Sequence, residues 1–251
     1  MICHLNSPGE SPSIGNFRLK AYFIVGMKIY RLNRTVLSVK NNAAVFLNGL
    51  SSNALEAPQN AFVNIHGKII AILDQVKISG GEFWIVVESD FAEAVLKHLE
   101  TYARLAGVKM EALNKNVYFD LEANAVLEPK DITIPQKRGR LVITDCEIKV
   151  NVSENEFNLF RLQNNIPVHG VDFEDEFLLN VSEIDYVSFT KGCFLGQEPV
   201  SKVHNRSKPT WKLVVKYEDE CSPEEKEKMT SKTADPSSGR SLGFVFVKNQ
   251  D

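Results

Sequence analysis

The sequence predicts an α+β protein of two successive halves, and three observations carry that reading. Short β-prone runs, punctuated by Gly, Asn and Ser, precede each amphipathic stretch of helical period. Helix-start signals pairing Ser or Asp with a Glu three residues on stand where the pattern changes. The same order of elements appears twice along the chain.

In the first half, residues 35–39 read as a strand, and Asn42 is placed to cap a helix carrying Ala44, Val45, Leu47 and Leu50. Residues 61–65 and 68–78 are two β-rich runs with His66-Gly67 between them, the chemistry of a hairpin turn. A strand over 82–88 follows Gly80-Gly81. Asp90 with Glu93 predicts a capping box, and Phe91, Val95, Leu99 and Tyr102 recur at helical spacing until Gly107 stops the helix. Residues 108–113 supply the next strand.

The second half is expected to place strands at 116–121, 124–127, 141–144 and 146–150. Ser153 and Glu156 then cap a helix carrying Phe157, Phe160 and Leu162, closed by Asn165-Ile166-Pro167. Further on, 211–217 reads as a strand, Ser222-Pro-Glu-Glu225 as a helix start and 242–247 as the last strand. Two such halves imply sheets covered on one side by helices, with a ligand cleft between the halves.

Composition narrows the function classes. With 251 residues, 43% hydrophobic and 24% charged, the chain can bury a core of one large or two modest domains. A net charge of −3 gives no general attraction to nucleic acid or an anionic membrane, and no aromatic RNA-binding pattern appears. Cys3, Cys146, Cys193 and Cys221 lie far apart without a C-x-x-C pair, so neither a metal site nor a disulfide framework is signalled and a cytoplasmic setting is expected. The apolar run 21–27 is too short to span a bilayer. Residues 1–26 have loop composition, with Pro8, Gly9, Pro12 and Gly15, and read as a disordered or peripheral extension before a folded unit that begins at Met27. A strand over 22–25 is the competing reading.

Unusual residues crowd into 189–206. Gly192 and Gly196 flank Cys193, Lys191 stands two residues before it, and a helix entered at Gly196-Gln197 with Pro199 in its first turn follows. A lysine and a helix N-terminus both favour a thiolate, which makes Cys193 the leading candidate for a chemically used residue. The alternative is a small cysteine filling a tight turn.

The stretch 188–198, Ser-Phe-Thr-Lys-Gly-Cys-Phe-Leu-Gly-Gln-Glu, resembles the K-G-C-[YF]-x-G-Q-E signature of the YgfZ-type folate-binding branch of the aminomethyltransferase-like family. The run 161–172 resembles that family's R-x-x-x-G-x-P-x-x-G-x-D, and 47–53, Leu-Asn-Gly-Leu-Ser-Ser-Asn, resembles L-Q-G-L-x-T-N-D. The resemblance covers roughly residues 28 to 249. It implies an aminomethyltransferase-like fold: halves at 27–114 and 115–209, and a shortened C-terminal β-domain at 210–251 in place of the family's small barrel. It further implies a tetrahydrofolate-like ligand, a role in the assembly or repair of iron–sulfur proteins with a link to tRNA modification, and iron–sulfur client or assembly proteins as partners. Carried over residue by residue, the ligand-binding candidates are Asn53, Lys191, Gly192, Gly196, Gln197, Glu198 and Arg206. Cys193 is then a redox thiol or a transient cluster ligand, since one cysteine cannot hold a [4Fe–4S] cluster, which takes about four thiolates.

Two departures bear on activity. The family's aminomethyltransferases carry an acidic pair after a G-G-x-x turn, where this chain has Ala71 and Ile72. Asp74 is the nearest carboxylate, on the same strand face as Ile72 but about 6.6 Å further along, too far for the same proton transfer. It reads as a solvated strand residue or, on the alternative reading, as the carboxylate of a tetrahydrofolate-dependent transferase. The second departure is Val181, which replaces the glutamate that meets the pterin in folate-binding relatives; Glu183 reads as a surface charge. No aminomethyltransferase turnover is expected. A ligand-free interaction scaffold, in which 192–198 only shapes a turn, is the third reading. Lys202, His204, Lys208 and Lys212 around Arg206 read as a solvated basic face or, on the other reading, as an anion site for a glutamate tail or an RNA phosphate, and His66 and His169 read as turn histidines.

Overall fold

The computed structural model describes residues 26–249, so the expectations for an extension or a strand before Gly26 lie outside the described residues. Residues 29–113 run β1 (Ile29–Leu32), β2 (Arg34–Lys40), α1 (Ala43–Leu50), β3 (Gln59–Val63), β4 (Ile69–Ser79), β5 (Glu82–Glu88), α2 (Ala92–Ala106) and β6 (Lys109–Leu113). Residues 116–206 run β7 (Asn116–Asp120), β8 (Ile132–Pro135), β9 (Arg140–Thr144), α3 (Glu154–Gln163), α4 (Leu178–Val181) and α5 (Gln197–Arg206). A C-terminal unit adds β10 (Trp211–Tyr217), α6 (Pro223–Glu227), β11 (Thr230–Asp235) and β12 (Arg240–Lys248).

These strands form three antiparallel sheets, ordered β3-β4-β5-β2-β6, β1-β7-β9-β8 and β10-β12-β11. The first sheet is covered on both faces. Leu37, Leu73, Ile85 and Val87 pack under Leu47 of α1 and Val95 and Leu99 of α2, while Val36 and Val86 on the other face meet Val117, Phe119, Ile134, Ile143 and Phe157. Double coverage explains why β2 and β5 read as near-continuous apolar runs rather than alternating ones. A third cluster joins Ala61, Val63 and Ile69 to Leu178, Tyr186, Phe194, Val200, Leu213 and Phe244, so the C-terminal sheet docks on the body through 178–200. Each such side chain removed from water contributes roughly 1.5–3 kcal/mol.

Several expectations are corrected. β1, which the sequence did not signal, is a strand paired with β7. Residues 124–127 and 146–150 are not strands; their backbone groups are taken by side chains. Ala125 N–H donates to Asp120, Arg140 donates to Ala125 O, and Ile148 N–H donates to the Tyr118 hydroxyl. α2 begins after a 3-10 turn at Ser89–Phe91 and has no side-chain cap, so the Asp90–Glu93 box does not form. Asn42 sits at the α1 cap in a left-handed conformation without a capping hydrogen bond. Ser153 caps α3, but Glu156 pairs instead with Lys28 at 2.8 Å. The Ser222–Glu225 box is complete.

Candidate functional site

The 188–198 stretch folds onto the C-terminal end of α1. Lys191 Nζ donates to the carbonyl oxygens of Asn48 at 2.8 Å, Ser51 at 2.6 Å and Asn53 at 3.0 Å. A helix leaves its last carbonyls without intrahelical partners, and its C-terminus favours a cation, so the ammonium satisfies both demands. Burial pushes that ammonium down to about 8, against the opposing charge of Glu56. Leu195 N–H donates to Gly49 O and Ser188 N–H to Ser52 O, each at 3.0 Å. The two motif segments, 47–53 and 188–198, thus form one clasp.

Within that clasp the two glycines differ. Gly196 has φ +81°, caps α5, and sits where an added Cβ would lie 2.3 Å from Asn64 O and 2.8 Å from Val63 Cγ2. Gly192 has ordinary φ and open space around it, so the expectation that its backbone is closely approached does not hold. Cys193 is exposed at the tip, and the Lys191 ammonium is directed into the α1 terminus.

α5 begins at Gln197, and its exposed side forms an open groove of about 480 Å³ lined by Gln197, Glu198, Ser201, Lys202, Asn205 and Arg206. His204 stacks on Phe189 with ring centres 3.6 Å apart, fixing the loop to the helix. Among the described residues, neither Lys202 nor Arg206 has a carboxylate partner.

Asp74 is not the solvated strand residue the sequence implied. It is 4% exposed, ion-paired with Arg34, and accepts from Gln136 Nε2 at 2.7 Å and Gln59 Nε2 at 3.1 Å. Arg34 also pairs with Glu88 at 2.6 Å. A buried carboxylate persists when paired and hydrogen-bonded in this way. The network links β2, β4 and β5 of the first sheet to Gln136, just past β8 of the second. Sequence reasoning missed Arg34, Gln59 and Gln136, whose partnership with Asp74 spans separations of 40, 15 and 62 residues.

The remaining candidates divide clearly. Asn53 is buried, and its carboxamide is occupied by Gln59 O, Asp185 O and Ala54 N–H. Ala71 and Val181 lie in apolar cores, Ile72 is partly buried against one, and Glu183 is exposed. The 161–172 run is structural. Arg161 pairs with Asp172 at 2.8 Å, both buried, and Thr230 and Ser231 of β11 donate to the same carboxylate. Asn165, standing where the resembling motif has glycine, takes φ +50°. His66 lies in an exposed turn, whereas His169 is buried and stacked on Phe91 at 3.7 Å.

With this geometry in hand, a solved structure gives the fold a reference. The glycine cleavage system aminomethyltransferase T from Bartonella henselae superposes with a TM-score of 0.70, covering 88% of this chain and 78% of its own, at 15% sequence identity. The fold is that of aminomethyltransferase T. No protein-family model matches the chain. An uncharacterized protein of Haemophilus influenzae is 28% identical over 148 residues, which is 56% of this chain and 52% of that protein. The tRNA-modifying protein YgfZ of Colwellia psychrerythraea is 30% identical over 79 residues, 30% of this chain and 24% of that protein. The chain therefore spans about half the length of the first relative and about a quarter of the second.

Among the described residues, no group of three His, Cys, Asp or Glu side chains is gathered as a metal site, and no helix is long and apolar enough to cross a membrane.

Proposed function

We propose that this protein binds a folate-like ligand and supports the assembly or repair of iron–sulfur proteins, without aminomethyl transfer. One observation carries the reading. In an aminomethyltransferase T-like fold, the positions expected to bear acids hold Ala71 and Ile72, and the nearby Asp74 is locked to Arg34 and two glutamines, while the signature loop stays in place with Cys193 exposed. A carboxylate so engaged is poorly placed to exchange a proton with a ligand. Similarity to the Colwellia protein over the matched segment supports the YgfZ-type assignment.

The residues present fit a folate-like ligand in one place. Lys191, Asn53 and Gly196 are engaged inside the clasp, so the groups free to touch a ligand are Gln197, Glu198 and Arg206 in the α5 groove. A carboxamide and a carboxylate match the donors and acceptors of a pterin edge, and Arg206 suits the carboxylates of a glutamate tail.

Calorimetric titration with tetrahydrofolate derivatives tests the reading. Saturable binding that weakens about tenfold or more in Arg206→Ala is expected, since charge-assisted hydrogen bonds contribute at least that much. No binding heat at any accessible concentration would leave the interaction-scaffold reading. The cellular arm is the activity of [4Fe–4S] enzymes when Cys193→Ser replaces the native protein, where loss of activity is expected.

A further inference from the structure

A second candidate site lies at the edge between the first and second sheets, on elements separate from the α5 groove. The β1–β2 turn and the start of β7 border an open pocket of about 330 Å³. Arg31, Asn33 and Arg34 line it from one side and Lys115 and Asn116 from the other, against apolar walls of Leu32 and Val117. Among the described residues no carboxylate lines it, although the chain as a whole carries a net charge of −3.

The three cations differ in how firmly they are held. Arg34, its side chain 16% exposed, is neutralised from behind by Asp74 and Glu88, so it forms a fixed wall. Arg31 has a side chain 57% exposed, donates to Asn116 Oδ1 at 3.0 Å, and stands 3.9 Å from Glu147, the outer limit of an ion pair. Lys115 pairs with Asp145 at 2.7 Å, a carboxylate 52% exposed. Surface pairs of this kind are weak and yield to a better-placed anion. The Asn33 carboxamide has no partner among the described residues.

We propose that this pocket binds a small dianion, a phosphate or phosphate monoester, held between Arg31 and Lys115 and hydrogen-bonded by the carboxamide of Asn33. A guanidinium fork grips two phosphate oxygens at once, and an ammonium supplies a point charge opposite it. Two cations match a dianion better than a monocarboxylate, and the volume, at the small end for a binding site, suits a ligand of this size.

The neighbouring indole reports occupancy. Lys115 Nζ lies 5.2 Å from the centre of the Trp84 ring, and the chain has two tryptophans, so Trp211→Phe leaves Trp84 as the tryptophan fluorophore. Inorganic phosphate titrated at constant ionic strength should change its emission along a saturating curve, half-complete at or below about 1 mM, while acetate should not. Arg31→Gln, a change at an exposed side chain, should raise the half-saturation about tenfold, equivalent to about 1.4 kcal/mol. Lys115→Gln alters the reporter itself, so there the phosphate-dependent rise in Tm is measured and should disappear. A response matched by acetate or chloride, a curve that does not saturate by about 10 mM, or an Arg31→Gln curve that coincides with the parent would overturn the proposal. Binding of a single-stranded oligonucleotide without a response to inorganic phosphate would also overturn it, in favour of a nucleic-acid backbone.

Discussion

Acid should find a weak point at His169. This imidazole is 4% exposed, stacked on Phe91 with ring centres 3.7 Å apart and facing Phe173 at 5.2 Å, and neither ring nitrogen has a hydrogen-bond partner. Burial lowers its pKa from 6.5 to about 4. The charged group nearest in sequence, Asp172, is engaged by Arg161 and the β11 hydroxyls. The folded state therefore holds the histidine neutral where the unfolded chain protonates it. Stability is unaffected above about pH 6.5 and falls as pH drops toward 4, because the unfolded state then binds the additional proton. At about 1.36 kcal/mol per pKa unit, the loss is roughly 2 kcal/mol at pH 5 and about 3 kcal/mol at pH 4. For a chain of this length 1 kcal/mol shifts Tm by roughly 2–4 °C, so the contribution at pH 5 is roughly 4–8 °C. Thermal or urea unfolding of the native protein and of His169→Phe, each at pH 7.5 and pH 5, isolates it. Each protein is compared with itself, so any packing cost of phenylalanine cancels. The native protein should lose about 2 kcal/mol more than the variant over that interval; equal losses would refute the reasoning.

Gly196→Ala should lower stability by more than about 3 kcal/mol, from a positive φ and a contact with Asn64 O that no backbone shift readily relieves, whereas Gly192→Ala should stay within about 0.5 kcal/mol; melting curves of the two decide it. Incubation with an aminomethylated lipoyl carrier protein and tetrahydrofolate should release no ammonia above background; release that vanishes in Asp74→Asn would promote the transferase reading. Iodoacetamide at pH 7 should alkylate the exposed Cys193 faster than the half-buried Cys146, read residue by residue by mass spectrometry; equal rates would remove the thiol from the proposed function.

Much of the architecture was legible because it is local. β5 and β10 match the residues the sequence assigned, the 66–67 turn does join two antiparallel strands, and Gly107 ends α2 with φ +67°. The failures are the places where long-range pairing decides. β1 is short and weakly patterned, and it is a strand because the distant β7 supplies its ladder, whereas β8 and β11, equally weak in pattern, are held in local hairpins with β9 and β12. Residues 124–127 and 146–150 have strand-like composition, yet buried Asp120 and Tyr118 capture their backbone groups first. Asp74 failed for the same reason: a carboxylate in a strand looks solvated until Arg34 and Gln136 are brought to it by two different sheets.

The signature stretch was legible as a motif but not as a mechanism, and its geometry separates two sets of residues. Lys191 and Gly196 are accounted for by the fold itself, one capping α1 through three carbonyls and the other permitting a backbone approach that a side chain would block. Had every unusual residue in the stretch been so occupied, a structural turn would have been a sufficient explanation. Cys193, Glu198 and Arg206 are not: they stand exposed on the same loop and helix, held in place by the clasp and by the Phe189–His204 stack. A rigid support under side chains that contribute nothing to packing is what a binding or thiol site requires, since the ordering entropy has been met before a ligand arrives. The functional hypothesis therefore rests on those three residues, and a triple replacement of them should leave the melting temperature within about 2 °C of the native protein while abolishing ligand binding. A large loss of stability in that variant would return the whole stretch to a structural role.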